Sequence, residues 1–152
     1  MVPDPEIRSA LPTDADAVAS LTLKAYSAWV ALIGREPLPM QIDYRNAIEV
    51  HDFALIEHEG DLVGLIETTP EADALLIVNV AVEPTCQGRG LGRRLMSHAE
   101  DVARSRGLKR TRLYTNQLFD RNIKLYASLG YQLDREEALN GGVAVHMSKP
   151  LP

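Results

Sequence analysis

The sequence predicts an α+β fold, a mixed α/β sandwich in which about four helices pack against a largely antiparallel sheet of six or seven strands. Three observations carry that expectation. Strand-like and helix-like periodicities alternate along all 152 residues, with no internal repeat. The stretch Leu75 to Val82 is apolar almost throughout, as expected for a central strand covered on both faces. A glycine-rich loop, Gln87-Gly88-Arg89-Gly90-Leu91-Gly92, joins that strand to an amphipathic helix.

Glu6-Ile7-Arg8 is expected as a short first strand. Thr13, with Asp14 and Asp16 in the first turn, then starts a helix whose apolar face is Val18, Leu21, Ala25, Trp29 and Leu32. Gly34, Pro37 and Pro39 stop it, and a second short helix is expected from about Met40 to Val50. Phe53 to Ile56 and Leu62 to Ile66 flank Glu59-Gly60-Asp61, which predicts a hairpin. Downstream of the glycine loop, Leu95, Ala99, Val102 and Ala103 have helical spacing up to Gly107, and a strand follows over Arg110 to Thr115. A helix spanning roughly Phe119 to Leu129 ends at Gly130, and Tyr131 to Leu133 and Val143 to Met147 close the chain as strands.

A length of 152 residues with 45% hydrophobic content suits one domain over 1–152 with a continuous core. Sixteen basic and 21 acidic side chains leave a net charge of -5, which argues against nucleic acid or an anionic membrane as partner. The start, Met1-Val2-Pro3-Asp4-Pro5-Glu6, lacks the basic and apolar regions of a leader, and Ala74 to Val78 is far too short an apolar run to cross a bilayer. One cysteine, Cys86, makes no internal disulfide, so the expected location is cytoplasmic. His51, His58, His98 and His146 form no i, i+4 pair and no cysteine cluster accompanies them, so no metal is expected.

The loop Gln87 to Gly92 sits where a helix presents backbone N–H groups without intrahelical acceptors, at the positive end of its dipole. Gly88, Gly90 and Gly92 permit close approach, and Arg89, Arg93 and Arg94 add cationic donors, so an anion is the expected occupant. An ordinary strand-to-helix turn with solvated arginines is the competing reading. The spacing is not Gly-x-x-x-x-Gly-Lys-Ser/Thr and no second βαβ unit follows, which disfavours nucleoside triphosphates and dinucleotides.

The larger arrangement is more specific. Asn79-Val80-Ala81-Val82-Glu83-Pro84 precedes Gln87-x-x-Gly90-x-Gly92, and a helix, a strand and a second helix then lead to Leu125-Tyr126-x-x-x-Gly130-Tyr131. This pattern resembles the GNAT superfamily of N-acetyltransferases, over the whole element order. Ile33 to Met40 and Tyr114-Thr115-Asn116 look like features of one bacterial branch, which supplies no substrate.

The resemblance implies a three-layer sandwich with splayed fourth and fifth strands and acetyl-coenzyme A as co-substrate, without a metal. It implies pantetheine contacts from Val80 through Ala81 to Val82 and pyrophosphate contacts from Gln87, Gly88, Arg89, Gly90, Leu91 and Gly92. The backbone N–H of Val80 is the implied donor to the thioester carbonyl. Tyr126 is the implied acid for the departing thiolate, and Asn122 and Asn116 are implied cofactor contacts. Asn122 and Tyr126 share a helix face; surface capping by Asn122 and simple packing by Tyr126 are the alternatives.

An alkylammonium has a pKa of about 10, so a base must remove a proton before nitrogen attacks. Many members of the superfamily carry a glutamate on the fourth strand, but Val78 precedes Asn79 here. That leaves Glu67 as the first candidate base, expected on the solvent side of its strand opposite Leu65, with a water relay through Glu67 or His51 as the alternative. Tyr26, Trp29 and Tyr44 are candidates for an acceptor pocket, with core packing the better reading for Trp29. Cys86 is expected as a spectator. Lys109-Arg110-x-Arg112 is expected to be solvated, and contact with a coenzyme A 3′-phosphate is its other reading.

The expected function is acetyl transfer to a primary amine of a small metabolite or peptide. A protein N-terminal or lysine acetyltransferase and a non-catalytic acyl-coenzyme A sensor are the alternatives, and a homodimer is the expected assembly if the chain is not monomeric.

Overall fold

The computed structural model describes residues 6–139 and 141–152. Met1 to Pro5, most of the chain start on which the absence of a leader was expected, lies outside them. The described residues form β1 (Ile7–Ser9), α1 (Ala15–Ile33), α2 (Tyr44–Val50), β2 (Asp52–His58), β3 (Asp61–Pro70), β4 (Ala74–Val82), α3 (Leu91–Ser105), β5 (Arg110–Asn116), α4 (Asp120–Ser128), β6 (Gln132–Leu139) and β7 (Gly142–Pro150). These are the four helices and seven strands of a mixed sheet, ordered β1-β2-β3-β4-β5-β7-β6. Two compact units share β4: residues 1–68 with 79–96, and residues 69–78 with 97–152.

In the first unit, β1, β2 and β3 are antiparallel. The β2–β3 turn places Glu59 at φ 53° and Gly60 at φ 85°, the left-handed pair that matches strand twist in a two-residue hairpin. The β3 strand runs four residues beyond the expected Ile66, because Thr68 and Thr69 are good strand formers and Glu67 pairs in register with Phe53. A core of Val18, Leu21, Tyr44, Ala47, Phe53, Leu55, Leu65 and Ala81 holds α1 and α2 to the strands. The expected apolar face of α1 is only partly buried: Val18 and Leu21 are inside, Ala25 and Trp29 are half-buried, and Leu32 is exposed. The face leaves the core as the helix runs on.

Helix α1 starts two residues later than expected. A 3-10 turn over Pro12–Asp14 precedes it, and the Asp14 carboxylate accepts from Leu11 N at 2.7 Å and from Arg8 Nη1 at 2.9 Å, instead of capping the helix. The expected second helix is split. A 3-10 turn covers Leu38–Gln41, Ile42 is extended, and Asp43 caps α2 by accepting from Arg45 N at 3.1 Å.

In the second unit, β4 and β5 are parallel from Ala74 with Arg110 to Ile77 with Leu113, and β5, β7 and β6 are antiparallel. The β6 strand extends six residues beyond the expected Leu133. Its run Asp134-Arg135-Glu136-Glu137 faces solvent along an edge, so no hydrophobic alternation marks it. Tyr131, which precedes β6, is buried, and its hydroxyl lies 2.7 Å from Thr111 Oγ1 on β5. Both groups are out of water, so Thr111→Val leaves one hydroxyl without its partner. Chemical denaturation should show a loss of about 1–3 kcal/mol, and an unchanged midpoint would mean that water takes the place of Thr111.

Candidate functional site

The apolar run of β4 is interrupted by Asn79, which is 3% exposed. A buried amide must have partners, and this one has three of them, on two helices. Its Nδ2 donates to Tyr44 Oη at 3.2 Å and toward Thr22 Oγ1 at 3.4 Å, and its Oδ1 accepts from Tyr26 Oη at 2.9 Å. Tyr44 in turn donates to the Pro39 carbonyl at 2.6 Å. Thr22 donates to the Val18 carbonyl at 2.9 Å. This network ties α1, α2 and the Leu38–Gln41 turn to the strand segment that continues as Val80, Ala81 and Val82. Burial above all, with the nearby Glu67 charge adding, pushes the Tyr44 phenol up to about 12, so it stays protonated. Tyr26 and Tyr44, expected to line a pocket, therefore spend their hydroxyls within the protein. The network joining Asn79 and Thr22 was not expected, although a lone amide within an apolar strand is a visible signal.

Contrary to expectation, β4 is not equally covered on both sides. Leu75, Ile77, Asn79 and Ala81 are buried, whereas Leu76, Val78, Val80 and Val82 are half-buried. Val80 and Val82 thus share the more open face.

Glu67 does not face solvent. Residues two apart share a face of a strand, so Glu67 lies with Leu65, and the Glu67 side chain is 3% exposed. It pairs with His51: Nδ1 lies 2.6 Å from Glu67 Oε2. His51 ends α2, its N–H donating to Ala47 O at 2.8 Å, and its side chain is 31% exposed. Burial raises the Glu67 pKa, and the hydrogen bond and charge of His51 offset this only in part. The two groups weighed separately as proton acceptors are therefore one unit, an outer imidazole over an inner carboxyl.

In the loop, Gly88 and Gly90 adopt φ 80° and 81°, and a Cβ at either would meet no chain atom within 4 Å. Glycine is required there by backbone conformation and not by crowding from within. Gly90 O accepts from Arg94 N at 3.1 Å, which makes Gly90 the helix cap and puts Leu91 and Gly92 in the first turn of α3. Gln87 Nε2 donates to Val82 O at 3.4 Å, tying the loop to the end of β4. Cys86 is half-buried, its Sγ 3.9 Å from Thr85 Oγ1.

The remaining expected residues belong to the second unit. Tyr126 is 9% exposed, its ring 6.0 Å from that of Tyr131, and burial pushes its phenol up to about 12. Asn122 is half-buried on the same helix. Asn116 closes a local turn, its Oδ1 accepting from Leu118 N at 2.9 Å. Arg112 and Arg110 are not simply solvated: Arg112 Nη2 donates to Glu71 Oε2 at 2.9 Å, and Arg110 lies 3.5 Å from Asp73. Among the described residues no three His, Cys, Asp or Glu side chains gather as a metal set, and no helix is long and apolar enough to cross a membrane.

The raised Glu67 pKa has a stability consequence of definite sign. In the pH range between the unfolded and folded values the native state holds a proton that the unfolded chain has released, so stability falls as pH rises through that range. Glu67→Gln removes this decline. Thermal unfolding should find the variant gaining on the parent from acidic to neutral pH, and a variant that instead loses ground would mean that His51 holds the carboxyl below its ordinary range.

Residues 17–131 match the model of the acetyltransferase (GNAT) family. The chain is 36% identical over 100 residues to an amino-acid acetyltransferase of Neisseria meningitidis serogroup A, covering 62% of this chain and 22% of that protein. It is 32% identical over 109 residues to a streptothricin acetyltransferase of Streptomyces lavendulae, covering 66% and 58%. The chain thus spans between about a fifth and a little over half of the curated relatives it matches. The fold is shared with a PaiA N-acetyltransferase of Thermoplasma acidophilum solved with coenzyme A, at TM-score 0.83 and 19% identity over 96% of this chain and 98% of that one. With the family model covering most of its length, the chain belongs to the acetyltransferase (GNAT) family.

Proposed function

We propose that this protein moves an acetyl group from acetyl-coenzyme A to a primary amine of a small metabolite or peptide by direct transfer. The observation that carries the reading is the Gly88–Gly90 loop: two left-handed glycines with open space at each Cβ position, at the start of a helix. A diphosphate fits that chemistry, since helix N-termini attract anions and missing side chains let them approach. Relatives named for an amino acid and for streptothricin support a small acceptor. Bound acetyl-coenzyme A supplies an activated thioester.

The chain's own groups have separable tasks. Val80 and Val82 offer backbone groups on the part of β4 beyond its register with β5, which runs to Ile77 opposite Leu113, and the Val80 N–H donates to the thioester carbonyl as negative charge develops there. The His51–Glu67 pair takes the proton that the amine must lose. Tyr126, protonated at neutral pH, donates toward the departing sulfur. The pair counts against a non-catalytic acyl-coenzyme A sensor, because a buried carboxyl held beside a half-exposed imidazole is a costly arrangement for a protein that only binds.

Release of free thiol from acetyl-coenzyme A, screened over amino acids, polyamines, aminoglycosides and peptides, tests the activity. Absence of turnover with every amine, despite cofactor binding, would favour the sensor. Gly90→Val should weaken acetyl-coenzyme A binding by calorimetry at least tenfold, because Val disfavours positive φ and adds bulk where the anion sits. Parental affinity would remove the loop from the binding site. Tyr126→Phe keeps the ring and should lower kcat roughly 10²-fold with little change in cofactor affinity or Tm. Parental kcat, with chemistry rate-limiting, would remove Tyr126 from the mechanism, and loss of folding would assign it to packing.

A further inference from the structure

We propose that the atom accepting the amine proton is His51 Nε2, and that Glu67 is a positioning residue acting through it. The proposal rests on the acetyl-transfer reading and divides the labour within its base.

Accessibility separates the two members. A substrate nitrogen has no approach to a carboxyl whose side chain is 3% exposed, whereas one that reaches the same pair from solvent meets an imidazole that is 31% exposed. The 2.6 Å contact engages Nδ1. With Glu67 ionised, Nδ1 carries the proton and donates it to Oε2, so the lone pair of the neutral ring is on Nε2. His51 is also anchored by its backbone, through its N–H to Ala47 O at 2.8 Å.

The location fits. Glu67 is in register with Phe53, Phe53 meets the Tyr44 ring edge-on at 6.1 Å, and Tyr44 Oη lies 3.2 Å from Asn79 Nδ2. Asn79 directly precedes Val80. The pair therefore stands a short chain of contacts from the strand segment assigned to the thioester, all within the first unit. Glu67 on β3 contacts His51, Tyr44 on α2 lies near enough to Glu67 to feel its charge, and Asp52 follows His51 in the chain at the start of β2. Tyr44, at about 12, does not ionise in the working range.

In the step itself the amine nitrogen forms a bond to the acetyl carbon and its N–H bond breaks. The proton goes to Nε2, and Glu67 stabilises the resulting imidazolium. The C–S bond breaks, its electron pair leaves with sulfur, and the thiolate takes up a proton from solvent.

Three variants test this: His51→Ala, Glu67→Gln and the double variant, compared with the parent on an amine it acetylates. Each single change should lower kcat by roughly 10²–10⁴-fold with cofactor affinity retained, because the Gln amide donates to Nδ1 and forces the proton onto Nε2. The same logic applies to Asp→Asn in a Ser–His–Asp triad. The double variant should be no slower than the slower single, since both changes disable one unit. Added imidazole should restore part of the His51→Ala rate in proportion to its free-base fraction.

His51→Ala within threefold of the parent while Glu67→Gln is slow, or losses that multiply in the double variant, would overturn the proposal. If His51→Ala does not fold, His51→Gln replaces it, with the same expectations except rescue. Failure of the parent to acetylate any amine removes the acetyl-transfer reading and this inference with it, a result seen before any variant is made.

Discussion

The arrangement of the first unit depends on one requirement: a buried amide in the middle of an apolar strand must be satisfied. Asn79 at 3% exposure has donors and acceptors that water cannot reach, and leaving them unpaired would cost about 1–3 kcal/mol for each group. Its partners Tyr26, Thr22 and Tyr44 come from two helices, so satisfying one side chain fixes where α1 and α2 stand against β4. Tyr44 passes the constraint on to the turn before α2 through Pro39. Val80 and Val82, whose side chains share the more open face, directly follow the strand position so anchored.

Glu67 shows the same rule under greater strain. A carboxyl out of water resists ionisation, and the single imidazole beside it recovers only part of the loss. In a purely structural core an apolar residue would serve better, since buried charge is poor evidence of stabilisation. Glu67 sits in β3 beside a half-exposed histidine, and the proposed reaction gives that pairing a use: an inner carboxyl that orients the outer imidazole.

Much of the fold was legible because its signals are local. The hairpin glycine, the helix-spaced apolar residues of α3 and the turn at Gly130 each declare themselves within a few residues. The paired motifs around Gln87 and Tyr126 identified the family, since Gly88 and Gly90 serve a backbone conformation that few residues tolerate. What stayed hidden depends on distant partners. The length of β3 is decided by its ladder with β2, and that of β6 by its ladder with β7. The partnership of His51 with Glu67 spans sixteen positions and is set by where α2 ends, which no periodicity reveals. The exposed Glu67 was an error of phase, because two residues along a strand return to the same face.

The two ends of the proposed reaction place opposite demands on proton affinity. The His51–Glu67 pair must hold a proton taken from an amine, with Glu67 placed beside the imidazole that receives it. Tyr126 must give one up, yet burial pushes its phenol to about 12, while a thiol ionises near 8.5. Complete transfer to a thiolate of ordinary basicity would run uphill by roughly 5 kcal/mol. A hydrogen bond to the developing thiolate has no such penalty, and one to a charged acceptor contributes about 1.5–3 kcal/mol. That range covers an effect of roughly 10²-fold on rate. Tyr126 therefore fits the chemistry best as a donor that steadies sulfur while the C–S bond lengthens, with the final proton arriving from water.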